Sequence, residues 1–196
     1  AGMPPLHLRL DEREGGAAVV LAEVEELRLL NADGRLVRLG SAVYRVPPEK
    51  AERLARLVKG LDGLPVLPLG QKQVDTFFST ALPAVKDVAE VEIAPSFSAR
   101  YEALPLAAEV YLDYYQEGVE ARLLFRYGEA QYDPLKEAPL LQYKGKRILR
   151  DTAAEERVKG VFSTYGFTEE KGRFVQPDEE ASYDFLTEGL PALDEM

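Results

Sequence analysis

Four cations fall within seven residues at Lys144-Gly145-Lys146-Arg147-Ile148-Leu149-Arg150. Cations this close together on a tight turn can take phosphate oxygens, and such contacts position a protein on duplex DNA without reading its bases. A second reading fits the same residues: a solvated hairpin in which Arg150 pairs with a carboxylate. Arg150-Asp151 precedes Thr152-x-x-Glu155, a capping-box spacing, so ordering a helix start is also open to the arginine. The tyrosines crowd between Tyr101 and Tyr143. Alternation puts Tyr111 and Tyr115 on one strand face, away from Val110 and Leu112, where a ring can stack on a base. Strand propensity and core packing account for most of the others. Asp178, Glu179, Glu180, Asp184 and Glu188, on a last helix, form an acidic surface suited to docking a protein.

The 196 residues carry 24 Lys and Arg against 34 Asp and Glu, a net charge of −10. Whole-molecule attraction to phosphate or anionic lipid is not expected at that charge. The sum hides a distribution. Residues 177–196 hold Asp178, Glu179, Glu180, Asp184, Glu188, Asp194 and Glu195 and no Lys or Arg, so the rest of the chain carries only −3. The absence of cysteine excludes disulfides, thiolate catalysis and cysteine zinc sites. A single histidine, His7, leaves no room for a two-His metal site. No GxxxxGK[ST] phosphate loop, GxSxG elbow or GxGxxG turn occurs. Adjacent carboxylates such as Asp11-Glu12, Glu25-Glu26 and Glu179-Glu180 read as solvated surface. No apolar run reaches membrane-spanning length, and no signal peptide opens the sequence.

The elements that would carry these residues follow from periodicity. Leu6, Leu8 and Leu10 alternate in a strand over 5–11. Residues 17–30 suit strand or helix, and Asn31-Ala32-Asp33-Gly34 before Arg35-Leu36-Val37 favours a hairpin. Residues 41–46 read as a strand, 48–60 as a helix opened by proline, and 63–69 as an extended connection. A helix over 70–82 is ended or kinked by Pro83. Residues 88–93 alternate as a strand and 95–98 form a loop. Residues 107–115 and 119–127 make a hairpin around Gln116-Glu117-Gly118. Short strands at 139–143 and 146–150, a helix from Thr152 stopped at Gly166, short strands near 167 and 172–175, and a helix from Pro177 complete the chain.

The order of elements repeats. Residues 77–85 (FFSTALPAV) match 185–193 (FLTEGLPAL) at a separation of 108, and Gly40…Arg45…Glu52-Arg53-Leu54 aligns with Gly145…Arg150…Glu156-Arg157-Val158. A tandem duplication accounts for both matches. The expected architecture is therefore α+β, in two similar lobes at 1–96 and 97–196, each with antiparallel strands followed by helices and a helix ending in Leu-Pro. In the first lobe that helix runs on into a strand, whereas the second copy stops at Met196, so the sequence reads as a piece of a longer polypeptide.

The second lobe also carries an ordered set of motifs: Phe125-Arg-Tyr127-Gly128, Tyr132-Asp133-Pro134, Arg150-Asp151…Glu155-Glu156, Gly166-Phe167 and Phe185-Leu186…Leu190-Pro191. This set resembles the bacterial Swi/Snf helicase-associated domain over about 105–193. The first half resembles it only through its Leu-Pro helix and following strand. The resemblance implies a non-catalytic region upstream of the ATPase core of a bacterial Swi/Snf-type, DNA-dependent ATPase. ATP with magnesium, and zinc in a SWIM module, would belong to the parent protein, and no cofactor to this chain. No catalytic residues carry over. The implied partners are the parent's own ATPase lobes or another protein, with DNA reached through the basic hairpin and no membrane. The implied location is the bacterial cytoplasm, on the nucleoid where DNA is bound. Two rival readings remain: a free-standing interaction module with no motor attached, and an enzyme acting through clustered carboxylates.

Overall fold

A computed structural model of the chain describes residues 2–22, 26–136 and 140–196. These form two compact units, 1–101 and 102–196, with mixed helices and mostly antiparallel sheets, an α+β architecture.

In the first unit, β1 (His7–Arg13) and β2 (Gly16–Ala22) form a hairpin that sets Leu8 opposite Leu21 and Leu10 opposite Val19. All four side chains are buried. Residues 17–22, open to either reading by periodicity, are thus strand; Glu25 lies outside the described residues. β3 (Leu27–Leu29), β4 (Leu36–Leu39) and β5 (Ala42–Arg45) make a separate antiparallel sheet. Helix α1 (Pro48–Leu61) buries Ala51, Leu54, Leu57, Val58 and Leu61 on one stripe. The extended connection expected at 63–69 is in part a strand, β6 (Val66–Gly70), paired with β2. It lies at the sheet edge, where Pro68 costs no ladder hydrogen bond.

Pro83 does not end the next helix. The chain runs as α2 (Gln71–Thr76), a π-helical turn (Phe77–Ala81) and α3 (Leu82–Lys86). Proline lacks an N–H and its ring collides with the carbonyl four residues back. The wider π turn accommodates it: the Leu82 N–H reaches the Phe77 carbonyl, and the Ser79 hydroxyl donates to the Asp75 carbonyl at 2.9 Å. β7 (Glu90–Ile93) then pairs with β1 in parallel. The loop expected at 95–98 is a helical turn, α4 (Pro95–Arg100), with Pro95 in its first turn and Phe97 buried. Phe97 stacks on Tyr101 at 4.3 Å between ring centroids, and the Tyr101 hydroxyl donates to the Gly16 carbonyl at 3.1 Å.

The short strand β8 (Tyr101–Ala103) carries the chain from the first unit into the second. β9 (Leu106–Tyr115) and β10 (Gly118–Tyr127) form its long hairpin. The far edge of β10 takes β11 (Ala130–Tyr132) at one end and β15 (Arg173–Gln176) at the other. β12 (Gln142–Tyr143) and β13 (Lys146–Leu149) form the basic hairpin, whose sheet includes β8. Residue 139, expected to begin the first of these strands, lies outside the described residues. Helix α5 (Thr152–Thr164) follows, then β14 (Thr168–Glu170) and β15 (Arg173–Gln176). The last helix repeats the earlier one: α6 (Glu179–Asp184), a π turn (Phe185–Gly189) and α7 (Leu190–Asp194). The Leu190 N–H reaches the Phe185 carbonyl, and the Thr187 hydroxyl donates to the Tyr183 carbonyl at 2.9 Å. Each partner stands 108 residues beyond its counterpart in the first unit.

One close approach also recurs. A Cβ on Gly16 would lie 2.0 Å from the Leu69 carbonyl oxygen, and one on Gly118 would lie 2.1 Å from that of Gln176. In both units only glycine lets the second hairpin strand meet the chain leading into the π-broken helix. Ala121, Leu123, Phe125 and Tyr127 of β10 point into the second core, where Phe162, Phe174 and Phe185 cluster at centroid distances of 4.7–5.2 Å.

Candidate functional site

The β12–β13 hairpin is the best-built candidate surface in the second unit, and its foundation is a buried polar cluster. Arg150, the residue after β13, lays its guanidinium along the Glu155 carboxylate. Nε donates to Oε1 at 3.0 Å and Nη2 to Oε2 at 2.5 Å, a two-pronged ion pair. Nη2 also donates to the Tyr132 hydroxyl at 2.5 Å, and the guanidinium carbon lies 4.8 Å from that ring's centroid. The Tyr127 hydroxyl donates to Glu155 Oε1 at 2.6 Å and accepts from the Asp151 N–H at 2.9 Å. Glu155 is only 3% exposed, so its charge depends on these partners.

The electrostatics follow from that burial. Burial, and then the hydrogen bond to Glu155, raises the Tyr127 pKa well above its ordinary value, and the same two causes raise that of Tyr132. For Arg150, burial opposes the charge, but the Glu155 carboxylate outweighs it and the guanidinium binds its proton more tightly than usual. Both tyrosines therefore keep their protons, and Arg150 its charge, across neutral pH.

The helix start differs from the capping box expected of Thr152 and Glu155. The cap is Asp151, whose Oδ1 accepts from the Ala154 N–H at 2.9 Å. With the cap one residue earlier, Glu155 falls on the stripe of Val158 and Phe162 and turns inward. The sequence carried that signal in the spacing 155, 158, 162. What it did not show was that the remote Tyr127 and Tyr132, strand tyrosines by pattern, supply hydroxyls to Glu155 and Arg150.

Of the four hairpin cations, Arg150 is therefore committed to the interior cluster. Lys146 donates to Glu102 at 2.9 Å and ties the hairpin to β8. Arg147 is half-buried. Lys144 is exposed on the turn, its Nζ 4.9 Å from the Tyr143 ring centroid, and the Tyr143 hydroxyl beside it raises its pKa. Tyr111 and Tyr115 do share a face of β9, but each hydroxyl is held by a carboxylate: Tyr111 by Glu109 at 3.0 Å and Tyr115 by Glu170 at 3.1 Å. Tyr111 is more than half exposed. Asp178 caps α6 through the Ala181 N–H at 2.8 Å, while Glu179, Glu180, Asp184 and Glu188 are exposed. Among the described residues no group of His, Cys, Asp and Glu side chains could hold a metal ion, and no helix is long and apolar enough to cross a membrane.

A half-buried arginine thus anchors the cationic hairpin, in a chain that divides into two α+β units. The family model for bacterial SNF2 helicase-associated proteins matches residues 1–196, and the chain belongs to that family. The match takes in the first unit as well as the second, so the looser likeness of the first half is nonetheless family membership. No curated protein and no solved structure matches the chain significantly. The chain is thus a helicase-associated accessory module.

Proposed function

We propose that this module docks on the ATPase lobes of a bacterial Swi/Snf-type motor, or on a partner protein, and guides duplex DNA with the β12–β13 hairpin. The reading rests above all on the hairpin's rigid base. The Arg150–Glu155 pair fixes the end of β13, so Lys144 on the turn and Lys146 and Arg147 on the strand are held at fixed spacing rather than on a mobile loop. Phosphate contacts need cations at fixed spacing and no base-reading chemistry. In this reading Arg150 positions the hairpin and leaves the phosphate contacts to the other three. The acidic face of Glu179, Glu180, Asp184 and Glu188 supplies the protein contact, matched to a basic surface on the motor or partner. The chain itself carries no chemistry: ATP, magnesium and any zinc are handled by the parent protein, in the bacterial cytoplasm and on the nucleoid when DNA is bound.

Binding of a fluorescent duplex at 50 and 150 mM salt tests the DNA arm. Charge reversal at Lys144, Lys146 and Arg147 is expected to weaken binding roughly tenfold or more at low salt and to flatten the salt dependence by about two to three phosphate contacts. Unchanged affinity and slope would remove the hairpin from the DNA surface.

A further inference from the structure

The two hairpins that open the units differ at their outer edge. Counted from the turn pairs Arg13–Gly16 and Tyr115–Gly118, Leu10 corresponds to Leu112, Leu8 to Val110 and Leu6 to Ala108. Leu6, Leu8 and Leu10 are each 2% exposed, while Leu112 is 37% exposed, Val110 half-buried and Ala108 exposed. Yet the second row faces the core side of its sheet, directly opposite Ala121, Leu123 and Phe125. In the first unit β7 covers the row. It lies parallel to β1, with the Glu90 N–H on the Leu6 carbonyl at 2.8 Å and the Ala94 N–H on that of Leu10 at 3.0 Å. Among the described residues no strand pairs with the outer edge of β9.

The backbone agrees with the side chains. A two-residue turn makes Tyr115 and Gly118 a hydrogen-bonded pair, and the antiparallel alternation then points the N–H and C=O groups of Leu112, Val110 and Ala108 away from β10. The same count points those of Leu6, Leu8 and Leu10 outward in β1, where the bonds from Glu90 and Ala94 land.

A groove of about 490 Å³ runs beside the β9 edge, lined by Ala108, Val110, Val158, Leu190, Leu193 and Met196 among others. The last three stand 108 residues beyond Leu82, Val85 and Val88, which are buried; Met196 is 63% exposed and Val88 5%. Arg157 also lines the groove. Its counterpart Arg53 pairs with Asp87 in the turn before β7.

We propose that the β9 edge and this groove accept one added β-strand. It lies parallel to β9 and enters from the C-terminal side of α7, as β7 enters from α3. Its chemistry is that of β7 and its flanks: apolar side chains at alternate positions, facing Val110 and Leu112, with carboxylates between them. The first unit is the template, since its Val91 and Ile93 stand opposite Leu8 and Leu10 in the same register. The inference does not depend on whether the module binds DNA.

The test joins a second copy of residues 89–101 after Met196, the position equivalent to Val88. Amide hydrogen exchange at Ala108, Val110 and Leu112 is expected to slow roughly tenfold or more relative to the unextended chain. The protection should vanish when Val91→Asp and Ile93→Asp are made in the added copy. A free peptide of residues 89–101, titrated into the unextended chain, gives a second measurement should the extended chain fold poorly. Unchanged exchange in both formats overturns the proposal. So does protection already present in the unextended chain together with a dimer in sedimentation, which would make a second copy the occupant.

Discussion

Helices α1 and α5 hold the same place in their units and are fastened by opposite means. α1 begins at Pro47-Pro48 with no side-chain cap and lays Ala51 and Ala55 against Gly34, where an added Cβ would lie 2.5 Å from the Ala51 carbonyl oxygen. Its upstream arginine, Arg45, is exposed. α5 begins at an aspartate cap and turns a carboxylate inward to meet the equivalent arginine and two tyrosines. An apolar junction tolerates small shifts because dispersion contacts have no direction. A charged, hydrogen-bonded junction has one geometry and a high cost of disruption. The polar fastening lies at the base of the hairpin that carries the cations, which is where the proposed DNA contact needs fixed geometry.

Substitutions at equivalent positions test this contrast. The largest expected effect is at the arginines. Arg150→Ala strands Glu155 in the core and should cost about 3–5 kcal/mol of the second unit's stability in urea unfolding, whereas Arg45→Ala should stay within about 0.5 kcal/mol. Equal losses would mean that the two junctions are fastened alike. Next come the hairpin edges. Leu10→Ala should cost about 2–5 kcal/mol as a cavity in a closed core, and Leu112→Ala, on the open edge, about 1 kcal/mol or less. A large loss at Leu112 would show that the β9 row is covered in solution.

The smallest effect is the response to alkali. Burial raises the Tyr127 pKa above the ordinary value near 10. Below pH 10 both folded and unfolded forms keep the proton, and the contribution is complete. Above it the unfolded chain ionises first, so stability falls as pH rises. Tyr127→Phe should lessen that fall by about 1.4 kcal/mol per pH unit above 10, read from thermal unfolding between pH 8 and 12. An unaltered slope would mean that Tyr127 ionises equally in both states.

Much of this was legible beforehand. The alternation of Val110, Leu112 and Tyr114 against Ala121, Leu123 and Phe125 sets the long hairpin, and the stripe of Leu54, Leu57, Val58 and Leu61 sets α1, because local periodicity matches local geometry. The repeat at 77–85 and 185–193 announced the shared helix, although Pro83 suggested an end or a kink where the chain makes a π turn and continues. That turn depends on i→i+5 hydrogen bonds, which leave no mark on side-chain spacing. β6 was obscured by Pro65 and Pro68, which are compatible with strand only at an edge, and an edge is a property of the assembled sheet. Helix α4 was obscured by its length, with Phe97 its one buried side chain.

The candidate site divides in the same way. By itself the sequence determined that Lys144, Lys146, Arg147 and Arg150 share one short hairpin and that a helix follows at once, because both are matters of a few residues along the chain. Only the tertiary structure decided that Arg150 faces inward while Lys144 stays in solvent. That choice depends on Tyr127, Tyr132 and Glu155 meeting at one point, and the burial of a charge is decided by the partners that distant segments bring to it.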